Sequence, residues 1–173
     1  MTLILGIDPG SRITGYGVVR AVGNRLEYVS CGCIRLSDDA HTLRLKQIFD
    51  SICRIIDEHG PSECAIEEVF LGKSVSSALK LGQARGSAMV ACLHKGLTVA
   101  EYSPRKVKQA LVGNGNAGKE QVQHMVKVLL GVSGEVQADA ADALGIAICH
   151  ANTRASMSRL GAAKSFRKGR LQY

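Results

Sequence analysis

Residues 2–8 read Thr-Leu-Ile-Leu-Gly-Ile-Asp, and the fold turns on how this stretch is read. Thr2 to Ile7 is an apolar run of strand length that stops at Pro9-Gly10-Ser11, which marks a buried strand followed by a turn. The strand runs straight into Asp8. An ionised carboxylate at the end of an apolar strand is costly to bury unless something positive meets it. Asp8 therefore asks for a cation.

Working outward, Thr14 to Ala21 reads as a second strand, Gly23-Asn24 as a hairpin turn, and Arg25 to Leu36 as a third strand, forming an antiparallel meander. Leu45, Ile48, Phe49, Ile52, Ile55 and Ile56 recur at helical spacing and end before Gly60-Pro61. Glu63 to Glu67 is a short strand that again ends in carboxylates. Ser74 is placed to cap a long helix to His94, stopped by Gly96, and Leu97 to Tyr102 is a fifth strand. Ser103-Pro104 opens another helix, GNGNAG at 113–118 is a loop, and further helices are expected over Lys119–Leu130 and Gln137–His150. The domain is expected to span 1–153, with 154–173 as a basic, flexible tail. This order predicts a mixed five-stranded sheet, three antiparallel hairpin strands plus two parallel ones, flanked by helices. It is the order of the ribonuclease-H-like class of α/β folds.

Charge is unevenly spread. The net charge is +7, yet residues 1–102 carry eleven basic and eleven acidic side chains. From Ala143 onward there are six basic residues and no acid, and a second basic cluster holds Arg105, Lys106, Lys108, Lys119 and Lys127. That asymmetry points to a polyanionic partner, nucleic acid before an anionic membrane, although a basic tail also serves solubility alone. The six cysteines include no C-x-x-C, which favours reduced thiols over a disulfide frame or a zinc site. No segment approaches the length of a membrane span, and the N-terminus lacks a basic region of the secretory kind, so a soluble cytoplasmic protein is expected.

The remaining acids sharpen the question Asp8 raises. AIEEVF places Glu67 and Glu68 at the end of a strand, where alternation lets only one of them share the face of Asp8, and periodicity does not choose between them. In QADAADALGIAI, Asp139 and Asp142 lie three apart on one face of a helix, near its N-terminus. Taken singly, each has an ordinary role: a turn cap, an ion pair with a buried arginine, two N-terminal helix charges. Together, four acids on elements otherwise rich in apolar residues ask for a shared cation, and oxygen ligands favour a hard divalent metal, Mg²⁺ first. Two such ions, typically about 3.5–4 Å apart, clamp a scissile phosphate in phosphodiester hydrolysis.

GIDPGSRITGYGVV, AIEEVF, SALKLGQARG, VKQALVGNGNAGKEQVQHMV and QADAADALGIAICH together resemble the RuvC Holliday-junction resolvases of bacteria, in order from Met1 to about His150. The resemblance implies a homodimeric endonuclease of recombination and repair. Such an enzyme nicks four-way DNA junctions symmetrically, leaves 5′-phosphate and 3′-hydroxyl ends, and works with the RuvAB branch-migration complex. It assigns the acidic quartet to Asp8, Glu67, Asp139 and Asp142 as catalytic ligands of Mg²⁺, two ions per site with Mn²⁺ as a substitute, and leaves Glu68 outside. Lys119 joins the catalytic group, and Lys108 and Lys119 contact DNA, with Arg105 and Lys106 beside them in the basic cluster. Phe70 meets bases near the junction centre, where stacking contributes about 1–3 kcal/mol, or else anchors its loop on the core. Ala78, Gly82 and Gly86, four apart on the long helix, either pack on the sheet or form the dimer interface. Three rivals remain at this point: an actin-like nucleotide-binding protein using Gly10, Gly15 and Gly17, a non-catalytic junction-binding protein, and a related nuclease acting on RNA.

Overall fold

A computed structural model of the chain describes residues 1–37, 40–69 and 74–169, with 160–169 as backbone course alone. Five strands form one sheet in the order β3-β2-β1-β4-β5: β1 (Thr2–Asp8), β2 (Ile13–Val22), β3 (Arg25–Arg35), β4 (Glu63–Glu67) and β5 (Thr98–Tyr102). β1, β2 and β3 pair antiparallel, while β4 runs parallel to β1 and β5 parallel to β4. This is the mixed sheet that the residue pattern predicts.

Helices cover both faces, and strand alternation decides which residues meet which layer. Leu5, Ile7, Val18, Cys64 and Ile66 pack against α1 (His41–His59) and α2 (Val75–His94) through Ile48, Ile52, Ala84 and Ala88. Ile4, Val19 and Ala65 face α3 (Pro104–Val112), α4 (Lys119–Leu130) and α5 (Ala138–Gly169) through Val107, Val126, Leu144 and Ile148. Each fully buried isoleucine or leucine in these layers contributes about 1.5–3 kcal/mol relative to exposure, so the two cores fix the sheet between its helices. The expected caps are in place: Ser74 Oγ accepts from Ser77 N at 3.3 Å, and Ser103 Oγ from Lys106 N at 3.4 Å. All six cysteines are free. Among the described residues, no helix is long and apolar enough to cross a membrane.

The helix expected to stop at His150 continues to Gly169. Residues 151–159 hold neither proline nor glycine, and alanine, arginine and methionine favour helix. The continuing turns are also held from outside. Arg154 Nε lies 3.0 Å from Glu63 Oε1 on β4, and an Arg159 guanidinium nitrogen donates to Asn24 Oδ1 at 2.8 Å in the β2–β3 turn. The apolar pattern fades here because α5 runs off the sheet, while its backbone hydrogen bonding goes on.

Candidate active site

Register brings the first two acids together. β1 and β4 are parallel with Ile7 beside Ile66, so Asp8 and Glu67 leave the sheet at the same edge. By alternation Asp8 follows Ile4 and Gly6, and Glu67 follows Ala65, so both point to the α5 side. Glu68 lies past the strand end, and its main-chain N–H donates to Tyr102 O at 2.9 Å.

Glycines then let α5 come down onto the strands. A Cβ at Gly15, the partner of Asp8 on β2, would collide with the Asp139 main-chain carbonyl, and one at Gly6 with that of Ala143. A Cβ at Gly17 would meet Leu144 at 2.8 Å. Three side-chain-free positions on neighbouring strands therefore seat the first turns of α5 directly on the sheet. That seating carries Asp139 and Asp142 to the edge where Asp8 and Glu67 emerge. Gly15 and Gly17 are packing glycines here, which removes them from any phosphate-cradling loop. Thr14, fully buried, closes the turn after β1: its Oγ1 donates to Gly10 O at 3.2 Å and accepts from Gly10 N at 3.3 Å. Asp8 is thus spared the turn-capping role.

The electrostatics follow from this convergence. Burial, then Glu67, Asp142 and Asp139 in turn, push the Asp8 carboxyl from 3.8 up to about 8, with Lys119 opposing. Glu67 is also raised, by burial first and then Asp142, against the pull of Lys119 and Lys108. Lys119 Nζ sits 2.8 Å from Asp142 Oδ2, and that hydrogen bond raises its own pKa. The arginine that reaches Glu67 does not neutralise it. Arg85 Nε donates to the Glu67 main-chain carbonyl at 3.0 Å, while its guanidinium pairs with Glu101.

Among the described residues no group of three His, Cys, Asp or Glu side chains stands ready as a metal cage. The donor set nevertheless fits a hard divalent ion. Half-buried carboxylates converge with excess negative charge, one ammonium rests on one of them, and no thiol or imidazole is among the groups acting on Asp8.

A cleft of about 150 Å³ opens beside the acids, lined by Glu67, Asp142, Lys108, Lys119, Pro104, Val107 and Val122. Two larger cavities, of about 360 and 410 Å³, lie between the β2–β3 turn and the second half of α5, at the other end of the sheet. Of the five basic residues of the second cluster, Lys108 and Lys119 line the carboxylate cleft, and Arg105, Lys106 and Lys127 do not. Arg105 packs along Gly115 in the 113–118 loop, and Lys106 Nζ stands 4.8 Å over the Tyr102 ring. Phe70 lies outside the described residues. Gly82 and Gly86 have nothing within 4 Å of where a Cβ would stand, so they lie on the face of α2 turned away from the sheet-facing Ala84 and Ala88. Ala78 is half-buried on the same helix.

Sequence reasoning missed the packing glycines Gly6, Gly15 and Gly17, the turn-closing Thr14, and Arg85. Glycine at alternating strand positions was a readable signal of close backbone approach. A contact from Arg85 to a main-chain oxygen leaves no mark in side-chain patterns.

A family model for the crossover junction endodeoxyribonuclease RuvC matches residues 4–150. The chain belongs to the RuvC family. RuvC relatives of similar length include those of Photobacterium profundum, 58% identical over 98% of this chain and 99% of its own, and Pseudoalteromonas atlantica, 54% identical over 99% and 100%. The solved T. thermophilus RuvC in complex with Holliday junction substrate is 33% identical, covers 90% of this chain and 96% of its own, and superposes with a TM-score of 0.85. The yeast mitochondrial Holliday junction resolvase, 13% identical with a TM-score of 0.65, shares the fold. The RuvC match takes in all four acids and α5 as far as His150.

Proposed function

We propose that this crossover junction endodeoxyribonuclease resolves four-way DNA junctions by divalent-metal-dependent hydrolysis, with Asp8, Glu67, Asp139 and Asp142 holding Mg²⁺. Two ions per site, with Mn²⁺ able to substitute, would activate the attacking water and stabilise the departing 3′ oxygen. One observation carries the reading: strand register and the α5 seat bring Asp8, Glu67, Asp139 and Asp142 together, and with burial their mutual repulsion raises the Asp8 carboxyl, a concentration of negative charge that a hard cation relieves. Such a cluster is poor company for DNA on its own, since acids beside a phosphate track repel it. With a cation between them, the same acids become the means of holding the phosphate.

The chain's own residues do the rest. The α5 seat fixes Asp139 and Asp142 against the strand ends. Lys108 and Lys119 flank the cleft and meet the phosphate track as point charges. Arg105 and Lys106 extend the basic surface along α3. Nicks leaving 5′-phosphate and 3′-hydroxyl ends follow from attack by water with the 3′ oxygen departing.

A second copy of the chain completes the enzyme in this reading. Along α2, Val75 (72% exposed), Leu79 (64%), Val90 (55%) and Leu93 (58%) form an outward stripe with Gly82 and Gly86 at steps of three and four. This is a seam for a helix packing across a two-fold axis, with Ala78 at its margin. Two sites related by that axis suit symmetrical cutting of one junction. Membership of the RuvC family supports a cytoplasmic setting alongside the RuvAB complex.

The test is a synthetic four-way junction offered with and without Mg²⁺ to the wild type and to Asp8→Asn. Nicking only by the wild type with metal is expected, with junction binding retained by both. Binding without nicking by the wild type under either condition would establish a non-catalytic junction binder instead. Preferential cutting of an RNA or hybrid duplex in competition would move the substrate to RNA.

A further inference from the structure

Arg85 lies midway along α2, between the sheet-facing Ala84 and Ala88 and the outward seam at Gly82 and Gly86. One of its contacts meets a peptide unit that is held at its other end as well. Nε donates to the Glu67 carbonyl at 3.0 Å, and the N–H of the same Glu67–Glu68 peptide donates to Tyr102 O at 2.9 Å. The guanidinium is itself anchored by Glu101 on β5. This peptide is where β4 ends and two consecutive acids must leave in different directions. A peptide held at one end only can rock about its flanking bonds, and the Glu67 side chain rocks with it. One held at both its oxygen and its nitrogen cannot.

The geometry points to Arg85 as a positioning residue for the nuclease reaction: from α2 it holds the Glu67–Glu68 peptide so that the Glu67 carboxylate, placed by strand register, keeps its direction toward Asp8. The inference rests on Glu67 being a metal ligand. Arg85 touches neither the cleft nor the carboxylate. Its influence passes through the main chain, in the way that outer partners orient a ligand and set its affinity.

The experiment compares Arg85→Gln and Arg85→Lys with the wild type as full-length protein. Mn²⁺ affinity is measured by calorimetric titration without DNA, the Mg²⁺ dependence by junction nicking, and junction binding in EDTA. Arg85→Gln should weaken Mn²⁺ binding and lower kcat by about tenfold or more, with junction binding within about twofold of wild type. Arg85→Lys, which keeps one charged donor, should recover part of both. Wild-type metal affinity in Arg85→Gln overturns the inference, whether or not its melting temperature falls. If that variant fails to fold, Glu101→Gln decides: it frees the guanidinium and leaves the Nε bond, and should weaken Mn²⁺ binding about threefold or more, wild-type affinity again overturning the role. Glu67→Gln separates the two ideas. Normal Mn²⁺ binding and nicking by Glu67→Gln removes Glu67 from the site itself. Loss of both, beside an Arg85→Gln of wild-type affinity, removes only the positioning role.

Discussion

Replacing Asp8 by asparagine probes the charge cluster through folding, without any DNA. The Asp8 carboxyl moves from 3.8 to about 8 in the fold, for burial first and then for Glu67, Asp142 and Asp139. Between those two values the folded chain holds a proton that the unfolded chain has released, so stability is lost as pH rises from about 4 through about 8. One pH unit corresponds to about 1.4 kcal/mol, and the gap of about four such units sets a ceiling of about 6 kcal/mol. Asp8 is half-buried at the end of the central strand, where water screens its neighbours, so about a third of the ceiling, about 2 kcal/mol, is expected. The asparagine side chain keeps the shape and drops the charge. In EDTA at pH 8.5 the variant should melt higher than the wild type by about 4–8 °C for a chain of this size, and the advantage should shrink towards zero near pH 4. Millimolar Mg²⁺ should raise the melting temperature of the wild type more than that of the variant and narrow or reverse the order, while junction cleavage by the variant falls at least about a hundredfold. An Asp8→Asn protein that melts at or below the wild type in EDTA at pH 8.5 would refute the reasoning, as would equal Mg²⁺ shifts in both proteins.

Lys119→Ala should slow cleavage by about tenfold or more while shifting stability by less than about 1 kcal/mol, since the lysine side chain is itself 60% exposed; denaturant melts beside single-turnover nicking separate the two, and a matching stability loss would make the lysine structural. Gly15→Ala should destabilise by about 2 kcal/mol or more, because its methyl would collide with the Asp139 carbonyl and lift α5 from the sheet; an unchanged urea midpoint contradicts the close seat. Leu79→Glu should convert a dimer to monomer in sedimentation velocity with the monomer still folded, and an unaltered dimer would place the interface elsewhere than the α2 seam. Junction affinity in EDTA should fall steeply as salt rises, and a flat log–log response would set aside the basic rim as the contact.

Element order was readable because each segment declares itself locally. The run of residues 2–7, the Gly23-Asn24 turn, the Ser103-Pro104 start and the isoleucine spacing of α1 are all short-range signals, and burial on both faces of the sheet reinforces them. The same locality explains the misreading of α5. Its second half leaves the sheet and loses the apolar pattern, yet it continues because nothing breaks the backbone and because Glu63 and Asn24, far away in the chain, receive Arg154 and Arg159.

The candidate site divides along the same line. That acids stand at strand ends and at the start of a helix, and that lysines surround a glycine loop, follows from the order of residues alone. Which of Glu67 and Glu68 faces Asp8 does not, since alternation is symmetrical until a neighbouring strand sets the face. Parallel register between β1 and β4 made that choice, and the bare backbone at Gly6, Gly15 and Gly17 brought Asp139 and Asp142 to the same place. Sequence records which charges are available. Only packing decides which of them are driven close enough to repel, and that repulsion is what asks for a cation.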